Sequence, residues 1–358
     1  MTILWINLAI VFSFSLFARR FASPAREIES PVPIKPNKVL IFGALASLVV
    51  VSGLRTNIGD TYVYRRIYEQ NDFSWEYILS QKDIGFGVLQ RVLKSYISED
   101  PQIMIFTAAL ITNVLIVIVL YNYSRMIEIS LYVYITGGLF LVSMNGIRQV
   151  LAAAIAFTAT KYLIEGSFVK YAFIIVLASL FHQSALILLP IYFLVRFKAW
   201  SKATVALLLI SVFIVIGFEY FSSLLFSALE DTQYGHYQSF SEGGANFLRV
   251  AVAAAPIGIA YLGRDKLRRI FPESDYIVNM AILGLVFMII STQNWIFARV
   301  SIYFDLYNII LISWVVKVFT KKDQKFIYFG IIACYLAYYF FENVINLNIF
   351  YKSDYLIW

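Results

Sequence analysis

Charge is what this chain most lacks: Asp, Glu, Lys and Arg make up 14% of its 358 residues, against about 25% in ordinary soluble domains, while 60% are hydrophobic. Water therefore cannot be the solvent for most of its surface, and a soluble globular domain is excluded. The single cysteine, Cys334, lies inside an apolar run, which excludes an intramolecular disulfide and a Cys-based metal cluster. There are two histidines, His182 and His236, and neither has a carboxylate or second histidine at ligand spacing, so no metal site is expected. The chain has no P-loop, no dinucleotide glycine motif and no serine nucleophile elbow, so ATP-driven transport is not expected and no cofactor is implied. A net charge of +7 raises the question of nucleic acid, but the positives are scattered over short loops rather than gathered in one stripe. No basic residue precedes the first apolar run and Arg19-Arg20 follows it, the reverse of a secretory signal, so that run is expected to remain as a span.

What the chain does have is apolar runs of helical length, near 2–18, 39–54, 103–122, 129–145, 147–164, 168–181, 184–197, 203–221, 246–262, 276–291, 296–316 and 326–345. These predict an all-α, polytopic integral membrane protein of about 12 transmembrane helices, with residues 1–358 forming one transmembrane domain. Most of the 29 Lys and Arg residues fall in alternate loops, as with Arg19-Arg20, Lys198 and Lys202, Arg264 to Arg269, and Lys317 to Lys325. The positive-inside rule then places both termini outside the cytoplasm. Pro24, Pro31, Pro33 and Pro36 mark an extended linker in the first inner loop.

Two longer outer segments remain, 55–102 and 222–245. In the first, Leu89, Val92, Leu93, Tyr96 and Ile97 recur at helical spacing with Arg91 and Lys94 opposite, the pattern of an interfacial amphipathic helix. The second carries Glu230, Asp231, His236 and Glu242 with ordinary surface polarity. No internal repeat is visible, which weakens the case for a transporter built from duplicated halves.

A charge at membrane depth costs about 2.5 to 3.5 kcal/mol on insertion scales, so each needs a reason. Arg55 ends the second run, Arg148 opens the fifth directly after Asn145-Gly146, and Arg249 and Arg299 sit three residues into the ninth and eleventh. All four are expected on the outer side. Guanidinium forks match phosphate oxygens and stay ionised, so together they read as a diphosphate site; taken singly, each would snorkel to the lipid headgroups. His182, in the hairpin between the sixth and seventh runs, is a candidate base for a sugar hydroxyl, or else a capping residue. Asp60 is a second candidate, as base or sugar-binding carboxylate, with the N-cap of a helix over 61–68 as its alternative role. Arg65 and Arg66 read as surface charges.

The same residues carry a resemblance. Arg55-Thr-Asn-Ile-Gly59-Asp60 followed by Tyr64, Asn145-Gly-Ile-Arg148-Gln149 with Leu151-Ala152, His182-Gln-Ser184-Ala-Leu with Pro190, and Ala298-Arg299 followed by Tyr303-Phe304 resemble the EpsG family, itself similar to Wzy-type polysaccharide polymerases. The likeness runs in order from about residue 50 to 310, with Gly59 standing where the family often has Thr or another small residue, and it is loose from Asn346 to Trp358. It implies a GT-C-like helical fold in a bacterial plasma membrane and a polymerase of undecaprenyl-diphosphate-linked oligosaccharides for exopolysaccharide. Catalysis would fall to His182 and Asp60. Substrate binding would fall to Arg55, Tyr64, Asn145, Arg148, Gln149, Arg249 and Arg299. The implied partners are the lipid-linked oligosaccharide, membrane lipids and other exopolysaccharide assembly proteins, with no metal and no nucleic acid. Two other classes stay open: a GT-C-type glycosyltransferase with a lipid-phosphate sugar donor, and a polysaccharide flippase or exporter.

The charge map makes a direct prediction about orientation. In a Cys334→Ser background, a cysteine at Ser74 should be labelled by a membrane-impermeant maleimide in intact cells, and one at Ser201 should not. The opposite pattern would invert the topology.

Overall fold

The structure is a computed structural model that describes residues 1–25, 31–218 and 243–356. Arg26 and nearly all of the segment expected at 222–245, including His236, lie outside the described residues. The chain forms two compact units, Met1–Tyr192 with Phe319–Trp358, and Phe193–Val318.

The first unit opens with α1 (Thr2–Arg20) and α2 (Lys38–Gly53), which pack on each other. Leu4, Leu8, Val11, Ser15 and Ala18 are buried along one stripe of α1, the spacing of a helix with one covered face. Between the helices, Ser23 pairs with Lys35 and Pro24 with Ile34 in a short antiparallel ladder, so the proline-rich link is tied to itself rather than simply extended. Asn37 then caps α2, its side chain accepting the Val39 and Leu40 N–H groups.

Segment 55–102 folds as α3 (Thr61–Gln70), α4 (Trp75–Ser80) and α5 (Ile84–Tyr96). The helix expected from the spacing of Leu89 to Ile97 is present, but its basic residues do not face away from the protein. Arg91 donates to the Phe73 carbonyl at 2.9 Å and Lys94 to the carbonyls of Tyr68 and Asn71 at 2.7 and 2.8 Å, holding the α3–α4 turn. Val92, Tyr96 and Ile97 are left exposed.

Next come α6 (Gln102–Tyr123), α7 (Ile127–Thr136) and α8 (Leu139–Asn145). The run expected as one span over 129–145 is bent by 52° between α7 and α8. The break falls at Gly137-Gly138, where Gly138 takes the left-handed φ of 93° that glycine adopts without a Cβ penalty. α9 (Ile147–Thr158) and α10 (Thr160–Glu165) continue as one apolar stretch, and every residue from Gln149 to Phe157 is buried, so α9 is covered on all sides. α11 (Phe168–Ser179), a 3₁₀ turn at Gln183–Ile187 and α12 (Leu188–Leu194) follow.

The second unit contains α13 (Lys202–Ile216), α14 (Phe247–Leu262), α15 (Arg264–Ile270), α16 (Ser274–Ile290) and α17 (Ile296–Val315). Val286, Ile290, Ile296 and Phe297 form a core with Leu207, Leu208 and Trp295 against it. Phe271 stacks on Trp314 at 4.5 Å and Phe287 on Phe304 at 5.5 Å. α14 and α15 meet at an 83° bend at Gly263, where the apolar run read from the sequence ends.

The chain returns to the first unit as α18 (Lys321–Tyr339), which runs into a π-helical turn at Phe340–Asn346. Tyr132 of α7 donates to the Ile332 carbonyl at 2.8 Å. The tail beyond is strapped to the end of α2: Thr56 N–H donates to Lys352 O, Lys352 N–H to Asn57 Oδ1, Tyr351 to Val51 O and Ser353 to Leu54 O, all between 2.6 and 3.0 Å.

Among the described residues, five helices are long and apolar enough to cross a bilayer, or seven if each bent pair is one span, and five shorter apolar helices accompany them. Every apolar run read from the sequence coincides with one of these. Phe42, Phe173, Phe213 and Ile216 are each more than half exposed, an outer face that suits hydrocarbon rather than water. The protein is a helical membrane protein.

At one end of the first unit, the wholly buried Glu128, in the first turn of α7, lies 2.6 Å from Arg19 Nε in the last turn of α1. Each charge sits at the helix end its dipole favours, and each offsets the other's loss of water. Glu128→Ala should strand the Arg19 charge and lower stability by on the order of 3 kcal/mol. Thermal unfolding in detergent, followed by tryptophan fluorescence, reads the change.

Candidate active site

Where the chain leaves α2, Arg55 folds back beneath the helix end. Its Nη1 donates to the Ser52 carbonyl, its Nε to Thr61 Oγ1 at 3.1 Å and its Nη2 to the Met144 carbonyl at 2.7 Å. The side chain is 1% exposed. Orphan carbonyls at a helix C-terminus attract a cation, so one guanidinium ties α2, α3 and α8 together. Burial lowers its pKa from 12.5 to about 9, a loss that Tyr351 and Tyr64 partly oppose, and it remains charged at neutral pH.

Two left-handed residues follow, Ile58 at φ 81° and Gly59 at φ 50°. A β-branched residue in that region is strained, and such strain persists only where the surroundings hold it. Here the Asp60 N–H donates to Asn145 Oδ1 at 3.0 Å, and a Cβ on Gly59 would lie 2.0 Å from that same oxygen. The Asp60 carboxylate is exposed and makes no cap bond at the start of α3, although Asp60 occupies the N-cap position.

Three residues meet around a buried carboxylate that the sequence did not single out. Asp83, 4% exposed, places Oδ2 2.8 Å from Arg148 Nη1 and Oδ1 3.9 Å from His182 Nδ1. Its Oδ1 also accepts the Gln183 N–H at 3.2 Å. Arg148 Nε donates to the Tyr64 hydroxyl at 3.3 Å, and its guanidinium lies 5.9 Å from the centroid of that ring. Burial pushes the Asp83 carboxyl up from the usual range, against the pull of Arg148, the Gln183 N–H and Lys82. Gly85 permits the close approach of the two strands of chain: its N–H donates to the Leu180 carbonyl at 2.7 Å, and a Cβ there would sit 2.9 Å from that oxygen. Gln149, next to Arg148, is buried on α9.

The first unit thus holds Arg55, Asp60, Tyr64, Asn145, Arg148, Gln149 and His182. It joins Arg148 to His182 through Asp83, Tyr64 to Arg148, and Asp60 to Asn145. The second unit holds Arg249, in the first turn of α14 behind the Asn246 cap, and Arg299, 4.7 Å over the Trp295 ring. It also holds Asp305 on α17, which accepts from Ser301 at 2.7 Å and whose Oδ1 would be 3.1 Å from a Cβ on Gly284. An acidic residue inside a predicted span was a readable signal for Asp305. Asp83 offered none, since Lys82-Asp83-Ile84-Gly85 reads as ordinary loop. Among the described residues, no group of three His, Cys, Asp or Glu side chains gathers to hold a metal ion.

The EpsG family model matches residues 38–354, so the match reaches past the motifs into the tail that straps α2. No curated protein and no solved structure matches the chain.

The turn at Gly59 is the most constrained point of the site. Gly59→Ala should break the Asp60–Asn145 bond and displace α3 from α8, losing at least ten-fold in any activity that depends on the site. The left-handed φ alone costs on the order of 1 kcal/mol, so the folded protein should persist in detergent. A Gly59→Ala protein with normal activity would show that the turn is not needed.

Proposed function

The chain belongs to the EpsG family, and from that premise we propose that it is a Wzy-like polymerase of undecaprenyl-diphosphate-linked oligosaccharides in exopolysaccharide synthesis. The growing glycan passes from its lipid diphosphate to a hydroxyl of the next lipid-linked repeat unit. The reaction takes place on the outer face of a bacterial plasma membrane, in a GT-C-like bundle of about 12 spans with both termini outside. The observation that carries this reading is the grouping of Arg148 and His182 on one carboxylate: a cation for the departing diphosphate beside a base for the acceptor hydroxyl.

In this reading the diphosphate is already a good leaving group, and the protein supplies charge stabilisation and proton removal. Arg148 is half exposed and keeps donors to offer, whereas Arg55 directs Nε, Nη1 and Nη2 at protein oxygens and acts as the anchor of the site. A guanidinium at the Arg148 position lets an arginine take the charge role of a metal ion. Tyr64, Asn145 and Gln149 shape the sugar subsite, and the exposed Asp60 binds a sugar hydroxyl. The implied partners are the lipid-linked substrate, membrane lipids and other exopolysaccharide assembly proteins, in the service of a biofilm matrix.

Purified protein in proteoliposomes with lipid-linked repeat units should form a polymer ladder without nucleotide sugar and in the presence of EDTA. Arg148→Lys and Arg299→Lys should each slow it on the order of 10²-fold, because lysine keeps the charge and loses the fork. A single sugar addition from a lipid-phosphate donor would instead favour a one-step glycosyltransferase. Movement of intact substrate across the bilayer would favour a flippase. Near-normal rates in both variants would make the arginines membrane anchors.

A further inference from the structure

Asp83 lies between the two groups the polymerase reading needs, and its surroundings are built rather than incidental. Its backbone carbonyl starts α5 by accepting the Phe86 and Gly87 N–H groups, while its carboxylate makes no cap bond there. The carboxylate points instead to α9 and to the turn after α11. Two hydrogen bonds fix it against that turn, Gly85 N–H to Leu180 O and Gln183 N–H to Asp83 Oδ1, one on either side of His182. His182 can therefore hardly shift without taking Asp83 with it.

Counting charges shows the consequence. At rest one carboxylate balances one guanidinium, and the imidazole stands at 3.9 Å, beyond hydrogen-bond reach. An anionic diphosphate arriving at Arg148 competes with Asp83 for the same fork. Once the guanidinium turns to phosphate oxygens, Asp83 is left buried without its ion-pair partner, and His182 can replace that partner by accepting the proton of the acceptor hydroxyl. The other ionisable groups that reach this cluster are Tyr64 on α3, Tyr77 on α4 and Lys82 beside Asp83.

We propose that Asp83 is a positioning residue that couples diphosphate binding at Arg148 to the proton-accepting strength of His182. The proposal rests on the polymerase reading and adds a coupling to it. In the transfer step the acceptor hydroxyl oxygen bonds to the anomeric carbon as the bond from that carbon to the diphosphate oxygen breaks, its electron pair leaving with the diphosphate. The hydroxyl proton goes to His182 Nε2, and Asp83 stabilises the imidazolium through Nδ1–H until that proton is lost to the released diphosphate or to solvent. The base thus strengthens only when a diphosphate is bound, which protects against proton removal in an empty site.

With two histidines in the chain, the coupling can be read spectroscopically. In His236→Gln protein carrying ¹⁵N-labelled histidine, the His182 titration midpoint should rise when farnesyl diphosphate is added. In Asp83→Asn protein it should start lower and not respond. The same nearly isosteric change should cut polymer formation on the order of 10²-fold and move the acid limb of its pH–rate profile to lower pH. A merely structural Asp83 would lower the yield of folded protein and leave the acid limb unchanged. A wild-type midpoint indifferent to farnesyl diphosphate, or Asp83→Asn protein with an unshifted acid limb, would overturn the proposal and leave the polymerase reading standing. Absence of polymer from wild-type protein would overturn that reading, whereas the diphosphate response of His182 is measured without it.

Discussion

A charge taken out of water must find an opposite charge or a set of oriented dipoles, and in this protein that constraint selects which side chains are neighbours. Arg148 enters α9 facing Asp83 at 2.8 Å, and Arg19 at the end of α1 faces the wholly buried Glu128 at 2.6 Å. Arg55 is held by dipoles instead, the carbonyls of Ser52 and Met144 and the Thr61 hydroxyl. These three arrangements bind helices distant in sequence, and each would be costly to leave half made. The pairing that solvates Arg148 is also what sets His182 beside a carboxylate, so solvation and chemistry share the same atoms.

Glycine sets where the helices give way. Gly138 ends α7 with a left-handed turn and bends an apolar run that would otherwise continue straight. Gly59 lets the Asp60 turn come against Asn145, and Gly85 lets the start of α5 come against Leu180. The last two positions are where segments carrying functional candidates touch, and a single methyl group at either would push them apart. The tail from Phe350 to Ser353 adds a further restraint on the same turn through Asn57, Thr56 and Leu54. Strain at Ile58 is thereby held between two sets of hydrogen bonds.

Hydropathy by itself determined the helical membrane character and the positions of the apolar helices, because lipid leaves the backbone few choices and the period of apolar residues registers that directly. Short ordered motifs around Arg55, Asn145, Arg148 and His182 marked the neighbourhood of the site for the same reason: polar residues at such positions are expensive and stand out. The bend at Gly137-Gly138 was hidden, since a broken helix and a straight one share one apolar composition. Asp83 was hidden more deeply. Its significance comes from burial and from partners 65 and 99 residues further along, Arg148 and His182, and nothing in its local sequence distinguishes it from a solvated loop acid. The basic residues Arg91 and Lys94 were misleading in the opposite sense, because a charge that looks free on a helical wheel can be spent on the carbonyls of a neighbouring turn. Sequence fixes which residues need partners, and only the tertiary structure decides which partner each one gets, because that depends on distances between segments that no local pattern encodes.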